Sequence, residues 1–272
     1  MLRENIVGML RARRKPNARP AFSKVRALAG AALIGTGYAW ASSRNPELVV
    51  LGVLPVTLVV SLGTFLAVRE GSIALLKAAR RWERLFYRPR PFLLVSRFVF
   101  KVQENYRVLS VASLLVAVIV SAVGAVYAVY AVEGSAPSLR LALFNGVFVS
   151  LVFFAAACSL LYFRLFTEID EDRRYFRRLA EAGLTGGELR RLAATQNAVL
   201  FLVPFLIGLV HSTFAMKALG TLLTSASIAA GLGTVAIGWQ VAAAYFAAYL
   251  VCFSATHALY RRSLGEDLSK SD

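Results

Sequence analysis

The chain has 272 residues, of which 58% are hydrophobic and 17% charged, and its mean hydropathy is +0.62. This composition excludes an ordinary soluble domain and predicts an integral membrane protein, because apolar runs of about 20 residues with few charges are typical of transmembrane helices. Its two cysteines, Cys158 and Cys252, lie in apolar stretches. They are too few for a disulfide framework, and we interpret them as packing residues.

Six apolar segments predict an all-α integral membrane fold with about six transmembrane helices. In chain order they cover residues 27–41, 48–68, 108–132, 141–163, 198–216 and a stretch within 226–260. The first segment is short and rich in glycine. The last is longer than one crossing needs, and residues 220–233 are expected to form a loop or a shallow interfacial segment.

The distribution of the +16 net charge predicts the orientation of these spans. Of the 31 Lys and Arg residues, 28 lie in segments 1–26, 69–107, 164–191 and 261–272, and the others are Arg44, Arg140 and Lys217. Because cytoplasmic loops carry the excess of cations, both termini, as tails 1–26 and 261–272, and the two long loops are expected in the cytoplasm. Contact with anionic lipid headgroups then accounts for the charge, so membrane lipid is the expected partner and nucleic acid is not.

The cytoplasmic segment 69–107 contains an amphipathic stretch ahead of the third span. Its apolar residues recur near helical spacing among Lys and Arg, and they are Ile73, Leu76, Trp82, Leu85 and Phe86. A basic helix with aromatic residues suits a membrane interface, and Pro91 would end it. We predict an interfacial elbow helix here, with a partner-binding helix as the alternative.

The loop between the fourth and fifth spans predicts a helix–turn–helix. Acids come first and arginines later over 168–182, which suits the helix dipole, and Asp170 with Arg174 has the spacing of an i,i+4 ion pair. An apolar stripe at helical spacing comprises Ile169, Phe176, Leu179, Ala180 and Gly183.

Local signals predict the turn that follows this helix. Gly183 suits a left-handed stop, and Thr185 with Glu188 has the spacing of a capping box. A second helix then runs through Gln196 into the fifth span. The residues alone leave two interpretations open, a rigid element that docks on a soluble partner or an ordinary connecting loop.

The string YFRLFTEIDEDRRYFRRLAEAGLTGGELRRLAATQNAVLFLVPFLIGLVHSTFAMKAL, residues 162–219, resembles the end of FtsX-like permeases. It is more similar still to the C-terminal half of the bacitracin-export (Bce-type) antimicrobial-peptide ABC permeases. The shared features are Tyr162-Phe163, the acidic–basic helix, Gly183-Leu184-Thr185, Gln196, Pro204 and the run His211-Ser212-Thr213-Phe214-Ala215. Residues 98–124, with Lys101 and Asn105 before a span, resemble the start of the same unit, which would cover 108–260.

The resemblance implies that the segment 168–192 is the coupling helix that contacts an ABC ATPase. The residues to which this role is carried over are Asp170, Arg174, Phe176, Arg177, Leu179, Ala182, Gly183, Leu184, Thr185 and Glu188. Replacing Leu179 with Glu would then abolish ATPase binding. Bce-type permeases place a large extracellular domain where this chain has only residues 133–140, so recognition of a bacitracin-like substrate is not implied.

These features predict a permease subunit of an ABC transporter in the bacterial cytoplasmic membrane. The chain contains no GxxxxGK[ST] phosphate loop, so ATP and Mg²⁺ would be bound by a partner ATPase and no cofactor by this chain. A second permease chain or a second copy would complete the complex, which would export or extract an amphipathic or lipid-like substrate, a peptide antibiotic among the candidates. The alternative is a non-transporting scaffold, similar to FtsX itself, that transmits the state of the ATPase to another membrane or envelope protein.

Polar residues in the spans give no sign of catalysis or metal binding. Neither His211 nor His257 has an HExxH neighbour or an acidic partner in the sequence, so an intramembrane enzyme is the weakest interpretation. His211 is expected to form a hydrogen bond at headgroup level near the outer end of the fifth span. Asn145 and Gln240 are expected to make interhelical contacts, and Pro204 is expected to kink its helix.

Overall fold

The computed structural model describes residues 22–81, 100–133, 137–226 and 233–268, and the regular structure within these ranges is helical. Seven helices of 13 or more residues follow one another in these ranges: α1 (Lys24–Ala41), α2 (Pro46–Arg81), α3 (Tyr106–Glu133), α4 (Pro137–Thr167), α5 (Ile169–Glu181), α6 (Gly186–Ser225) and α7 (Thr234–Leu268). A short helical turn at 100–104 precedes α3. The prediction of an all-α membrane protein is confirmed.

Five of these helices, α2, α3, α4, α6 and α7, are long and apolar enough to cross a bilayer. The first predicted span lies on α1, which is not among the five. However, α1 lies alongside α2 over its whole length. The Ser23 N–H donates to a Glu70 carboxylate oxygen at 3.0 Å at one end, and the Trp40 indole donates to the Leu48 carbonyl at 2.7 Å at the other. α1 therefore runs beside residues 48–70 of α2, which belong to the part of α2 that is apolar enough to cross the bilayer. This packing favours a sixth crossing.

Two predicted boundaries fall inside helices. α2 continues past residue 69 to Arg81, so the start of the predicted elbow is continuous with the second span, while Trp82, Leu85, Phe86 and Pro91 lie outside the described residues. α6 runs to Ser225, so residues 220–225 of the predicted loop are helical and residues 227–232 are again outside. The helices extend beyond the apolar runs because polar flanks can continue a helix into the interface.

α6 is the centre of the bundle and contacts each of the other six helices named above. Its tightest approach is to α3, where a Cβ atom on Gly208 would lie 2.7 Å from the Ser113 carbonyl oxygen. In the most apolar window of α3, 56% of the residues are buried within the chain, against 11% for α4. α4 is therefore peripheral, with its apolar side chains facing lipid or another protein.

Candidate coupling site

α5 is a short charged helix at one end of the bundle, held between abrupt turns. Gly183 has φ +90, the left-handed conformation that favours glycine. The Leu184 N–H reaches back to the Leu179 carbonyl at 3.1 Å and the Gly183 N–H to the Ala180 carbonyl at 2.9 Å, the pattern of a Schellman stop. The predicted end of the first helix is confirmed.

The start of α6 is fixed by the predicted capping box. The Thr185 hydroxyl accepts from the Glu188 N–H at 3.4 Å, and the Glu188 carboxylate accepts from the Thr185 N–H at 3.0 Å. Two backbone N–H groups that have no partner within the helix are thus each accepted by a side-chain oxygen. Together with Gly183, this box fixes the angle between α5 and α6.

The apolar stripe of α5 packs largely against this chain rather than facing a partner. Phe176 is buried, and Ile169 and Leu179 are half-buried against the same core. Ala180 and Gly183, at the end of the stripe, are exposed. The stripe therefore attaches α5 to its own bundle, so Leu179 is not a free docking residue.

The opposite face of α5 is charged and open. Its exposed residues include Asp170, Arg174, Arg177, Arg178, Glu181 and Ala182. The predicted Asp170–Arg174 pair does not form: Asp170 pairs with Arg173 at 3.2 Å, and Arg173 also donates to the Ser263 carbonyl of α7 at 2.8 Å. Arg173 can serve both groups because it lies between Asp170 and α7, whereas Arg174 points outward.

A buried ionic network anchors the inner face of α5. Lys101, just before α3, lies 2.5 Å from the Glu168 carboxylate and 3.1 Å from that of Asp172. Glu168 also pairs with Arg164 of α4, whose guanidinium contacts Asn105. Lys101 and Asp172 are each 1% exposed, so these charges are compensated within the protein, as buried charges require.

α7 joins the same network. The Tyr260 hydroxyl donates to the Asp172 carboxylate at 2.8 Å, and Tyr260 is fully buried. Asp172 on α5 thus contacts the segment before α3 and the end of α7 at once. The sequence singled out Lys101 and Asn105 only through resemblance, and Asp172 and Tyr260 not at all, because their partners lie 71 and 88 residues away.

The residues shared with the family along α6 occupy its buried side. Gln196 is 2% exposed, Pro204 is buried, and the helix continues through Pro204 without interruption. Ser212 is buried and donates to the Leu209 carbonyl within its own helix. Asn197, which the sequence did not single out, contacts His257 of α7 at 3.1 Å.

His211 is buried inside the bundle, where it bonds to two other helices. It contacts the Tyr38 hydroxyl at 2.6 Å and the Thr64 hydroxyl at 2.9 Å, and α6 continues well beyond it. Phe214, one turn on, stacks on Tyr38 with ring centroids 3.8 Å apart. The expected hydrogen bond is therefore made to two neighbouring helices. His211 instead ties α6 to the α1–α2 hairpin.

The interhelical contacts expected of two other polar residues in the spans do not form among the residues that the structure describes. Asn145 on α4 and Gln240 on α7 are both exposed and make no interhelical hydrogen bond within the described part of the chain. Both helices are peripheral, so these side chains point away from the bundle. Cys158 on α4 and Cys252 on α7 both pack against the same hydrophobic core. Among the described residues, no group of three or more His, Cys, Asp or Glu side chains could hold a metal ion.

Apolar helices that span a bilayer, with a charged helix anchored at one end, define a multi-pass membrane protein. Comparison with known proteins indicates which family of membrane proteins the chain resembles. Residues 147–266 match the family described as FtsX-like permease C-terminal, so this part of the chain resembles an FtsX-like permease domain. It is a multi-pass protein of the cytoplasmic membrane.

Three curated relatives are ABC permeases. The chain is 49% identical over 79 residues to the ABC transporter permease protein YxdM of Bacillus subtilis (strain 168), covering 29% of this chain and 13% of that protein. It is 39% identical over 87 residues to the uncharacterized ABC transporter permease YvcS of the same organism, covering 32% and 14%. It is 33% identical over 85 residues to the bacitracin export permease protein BceB of Halalkalibacterium halodurans, covering 31% and 13%.

These matches confirm the resemblance to Bce-type permeases. They span about one seventh or less of each relative's length. Residues 134–136 alone separate α3 from α4, at the position where the resemblance implies a large extracellular domain in Bce-type permeases. No solved structure matches the chain.

Proposed function

We propose that this chain is the non-catalytic permease subunit of an ABC transporter and that α5, with the turn into α6, docks on a separate ATPase chain. That chain would bind ATP and Mg²⁺. The observation that carries the proposal is the two-sided construction of α5. One face is fixed to the bundle by a buried ionic network, while the other presents Arg174, Arg177 and Arg178 to solvent.

This anchoring suits the transmission of movement. Asp172 and Glu168 connect α5 to the segment before α3, to α4 and to α7. α6, which contacts every other named helix, begins directly after the capping box. A displacement of α5 by the closing ATPase would therefore shift several spans together, as expected for rigid elements joined by a packed interface.

The transported molecule in this proposal is amphipathic or lipid-like, taken up from the membrane and exported or extracted. A peptide antibiotic fits the same description, and one relative is named for bacitracin export. The peripheral apolar helices α4 and α7 leave room for a second copy or a second permease chain. The polar side chains of Asn145 and Gln240 on their exposed faces would then find partners across that interface.

The test is co-purification of the ATPase from the native host in mild detergent, quantified by mass spectrometry. In the R177E/R178E double variant, both side chains are exposed and the buried face is untouched, so the protein is expected to insert normally and to lose the ATPase. R140E, which reverses a charge at the far end of the bundle, is the matched control and is expected to retain it. Unchanged ATPase recovery from R177E/R178E would refute the docking role of α5.

Leu179→Glu is a poor test of docking because Leu179 packs against the chain's own core. Loss of ATPase from that variant would report detachment of α5. The rival proposal of a non-transporting scaffold is distinguished by reconstitution with the ATPase. Stimulation of ATP hydrolysis by an amphipathic substrate supports transport, whereas a stably bound envelope protein without such stimulation supports the scaffold.

A further inference from the structure

The end of the bundle opposite α5 contains a cationic cavity. It has a volume of about 460 Å³ and is lined by the α1–α2 connection, the end of α6 and the start of α7, with Arg44, Lys217, Thr221, Thr224, Ser225 and Thr234 among its walls. Thr221 donates to the Ser43 carbonyl at 3.4 Å, which holds the connection that carries Arg44 against α6. The cavity is thus built from elements fixed to one another.

The charge of this cavity is unusual for its position. Only three of the 31 cationic residues are assigned to this side of the membrane, and two of them, Arg44 and Lys217, line one cavity. Within the described residues neither forms an ion pair, and Glu47, the nearest acid along the chain, pairs with neither. Two cations that line one cavity without an ion-pair partner repel each other, and a bound anion would offset that repulsion.

The available donors select the kind of anion. The hydroxyls of Thr224 and Ser225 donate to carbonyls of their own helix, at 2.8 Å each. The charged donors open to an incoming group are the Arg44 guanidinium and the Lys217 ammonium, both of which are exposed. A guanidinium binds two oxygens of one phosphate or carboxylate, and an ammonium adds a point charge. A tetrahedral phosphate group can satisfy both.

An apolar groove adjoins the cationic cavity. It has a volume of about 530 Å³, shares Ser225 with the cavity, and is lined by Pro46, Glu47, Val50, Leu51 and Leu222. Val50 and Leu51 are 61% and 70% exposed, so the groove opens toward the hydrocarbon of the membrane. A charged cavity at the surface beside an apolar groove fits one molecule with a charged head and an acyl chain.

We propose that the cavity at Arg44 and Lys217, with the groove beside it, binds the phosphate-bearing headgroup and the first part of the chain of an anionic amphiphile from the outer leaflet. This assignment deepens the proposed function by giving the chemical class of its substrate. Binding at this site does not require the ATPase, so the two proposals can fail separately.

The experiment titrates the purified full chain, in a nonionic detergent, with three soluble probes. Dihexanoyl phosphatidic acid carries both head and chains, inorganic phosphate carries the head alone, and dihexanoyl phosphatidylcholine carries the chains with a neutralised head. Phosphatidic acid is expected to bind at least about tenfold more tightly than either other probe. R44Q and K217Q are each expected to weaken it by about tenfold, the effect of losing one charge-assisted contact.

R140Q is the matched control, because Arg140 is the third cation on this side and does not line the cavity. It is expected to bind like the wild type, and R44K to recover only part of the binding that R44Q loses, because lysine restores the charge but not the two parallel donors. Equal binding of phosphatidylcholine would overturn headgroup recognition. Equal binding of inorganic phosphate would make the site one for free phosphate, and an equal loss in R140Q would reduce the effect to general surface charge.

Discussion

Gly208 determines how closely α3 and α6 approach one another. A Cβ atom there would lie 2.7 Å from the Ser113 carbonyl oxygen and equally near the Val116 side chain. Since a backbone carbonyl cannot rotate away, Gly208→Ala is expected to force the two central helices apart. The expected loss is about 1–3 kcal/mol of stability, typical of an overpacked core.

The measurement is thermal unfolding of the detergent-solubilised protein, with Gly35→Ala as the control. Gly35 also lies in a helix, but a Cβ atom there would meet nothing within 4 Å. Gly35→Ala is therefore expected to be neutral or slightly stabilising, given the low helix propensity of glycine. Equal unfolding temperatures for the two variants would contradict the close packing at Gly208.

At the residue scale, the sequence predicts those contacts whose two partners lie close together in the chain. Gly183, Thr185 and Glu188 were assigned correctly because their partners lie within a few residues, and a left-handed stop or a capping box has a fixed spacing. The Asp170–Arg174 pair was wrong although its spacing was favourable. A carbonyl 90 residues away on α7 draws Arg173 into the competing geometry, and no local pattern contains that information.

At the element scale, the anchor of α5 rests on Lys101. Lys101→Met would leave the carboxylates of Glu168 and Asp172 buried without that cation. Removing one partner of a buried ion pair typically costs about 3–5 kcal/mol. We therefore expect a large drop in unfolding temperature and faster proteolysis between Arg173 and Arg178, as α5 detaches.

The matched variant K101M/D172N removes one negative charge together with the positive one. It retains the Arg164–Glu168 pair and keeps an acceptor for the Tyr260 hydroxyl, so it is expected to recover much of the lost stability. An unfolding temperature for K101M equal to that of the wild type would mean that the network does not hold α5. Recovery in the double variant would attribute the loss to uncompensated charge and not to the lost lysine side chain.

The apolar stripe of α5 shows what helical spacing can predict about a helix and what it cannot. Helical spacing correctly predicted that Ile169, Phe176 and Leu179 share a face. It could not say what that face packs against, because any apolar stripe suits a partner and the protein's own core equally well. The structure places it on the core and thereby moves the candidate docking surface to the arginines.

At the scale of the whole molecule, hydropathy predicted the bundle and the helix order, since a bilayer requires each span to satisfy its own backbone. It underestimated helix lengths, as at Arg81 and Ser225. It also failed to predict that Asn145 and Gln240 face away from the bundle. Their environments depend on which helices are central and which peripheral, and that follows from the packing of α6 against all the others.

The crossing of α1 is the remaining question of topology, and it is decided by labelling from each side of the membrane. In a C158S/C252S background, single cysteines replace Lys24 at the start of α1, Asn45 between α1 and α2, and Ala182 beside α5. Because α1 lies along the full span of α2, an impermeant maleimide added to intact cells is expected to label position 45 alone. Positions 24 and 182 are expected to react only after the membrane is opened, as the positive-inside distribution predicts.

Labelling of position 24 from outside would mean that α1 does not cross. Labelling of position 182 from outside would reverse the whole protein, and α5 would then be unable to meet a cytoplasmic ATPase.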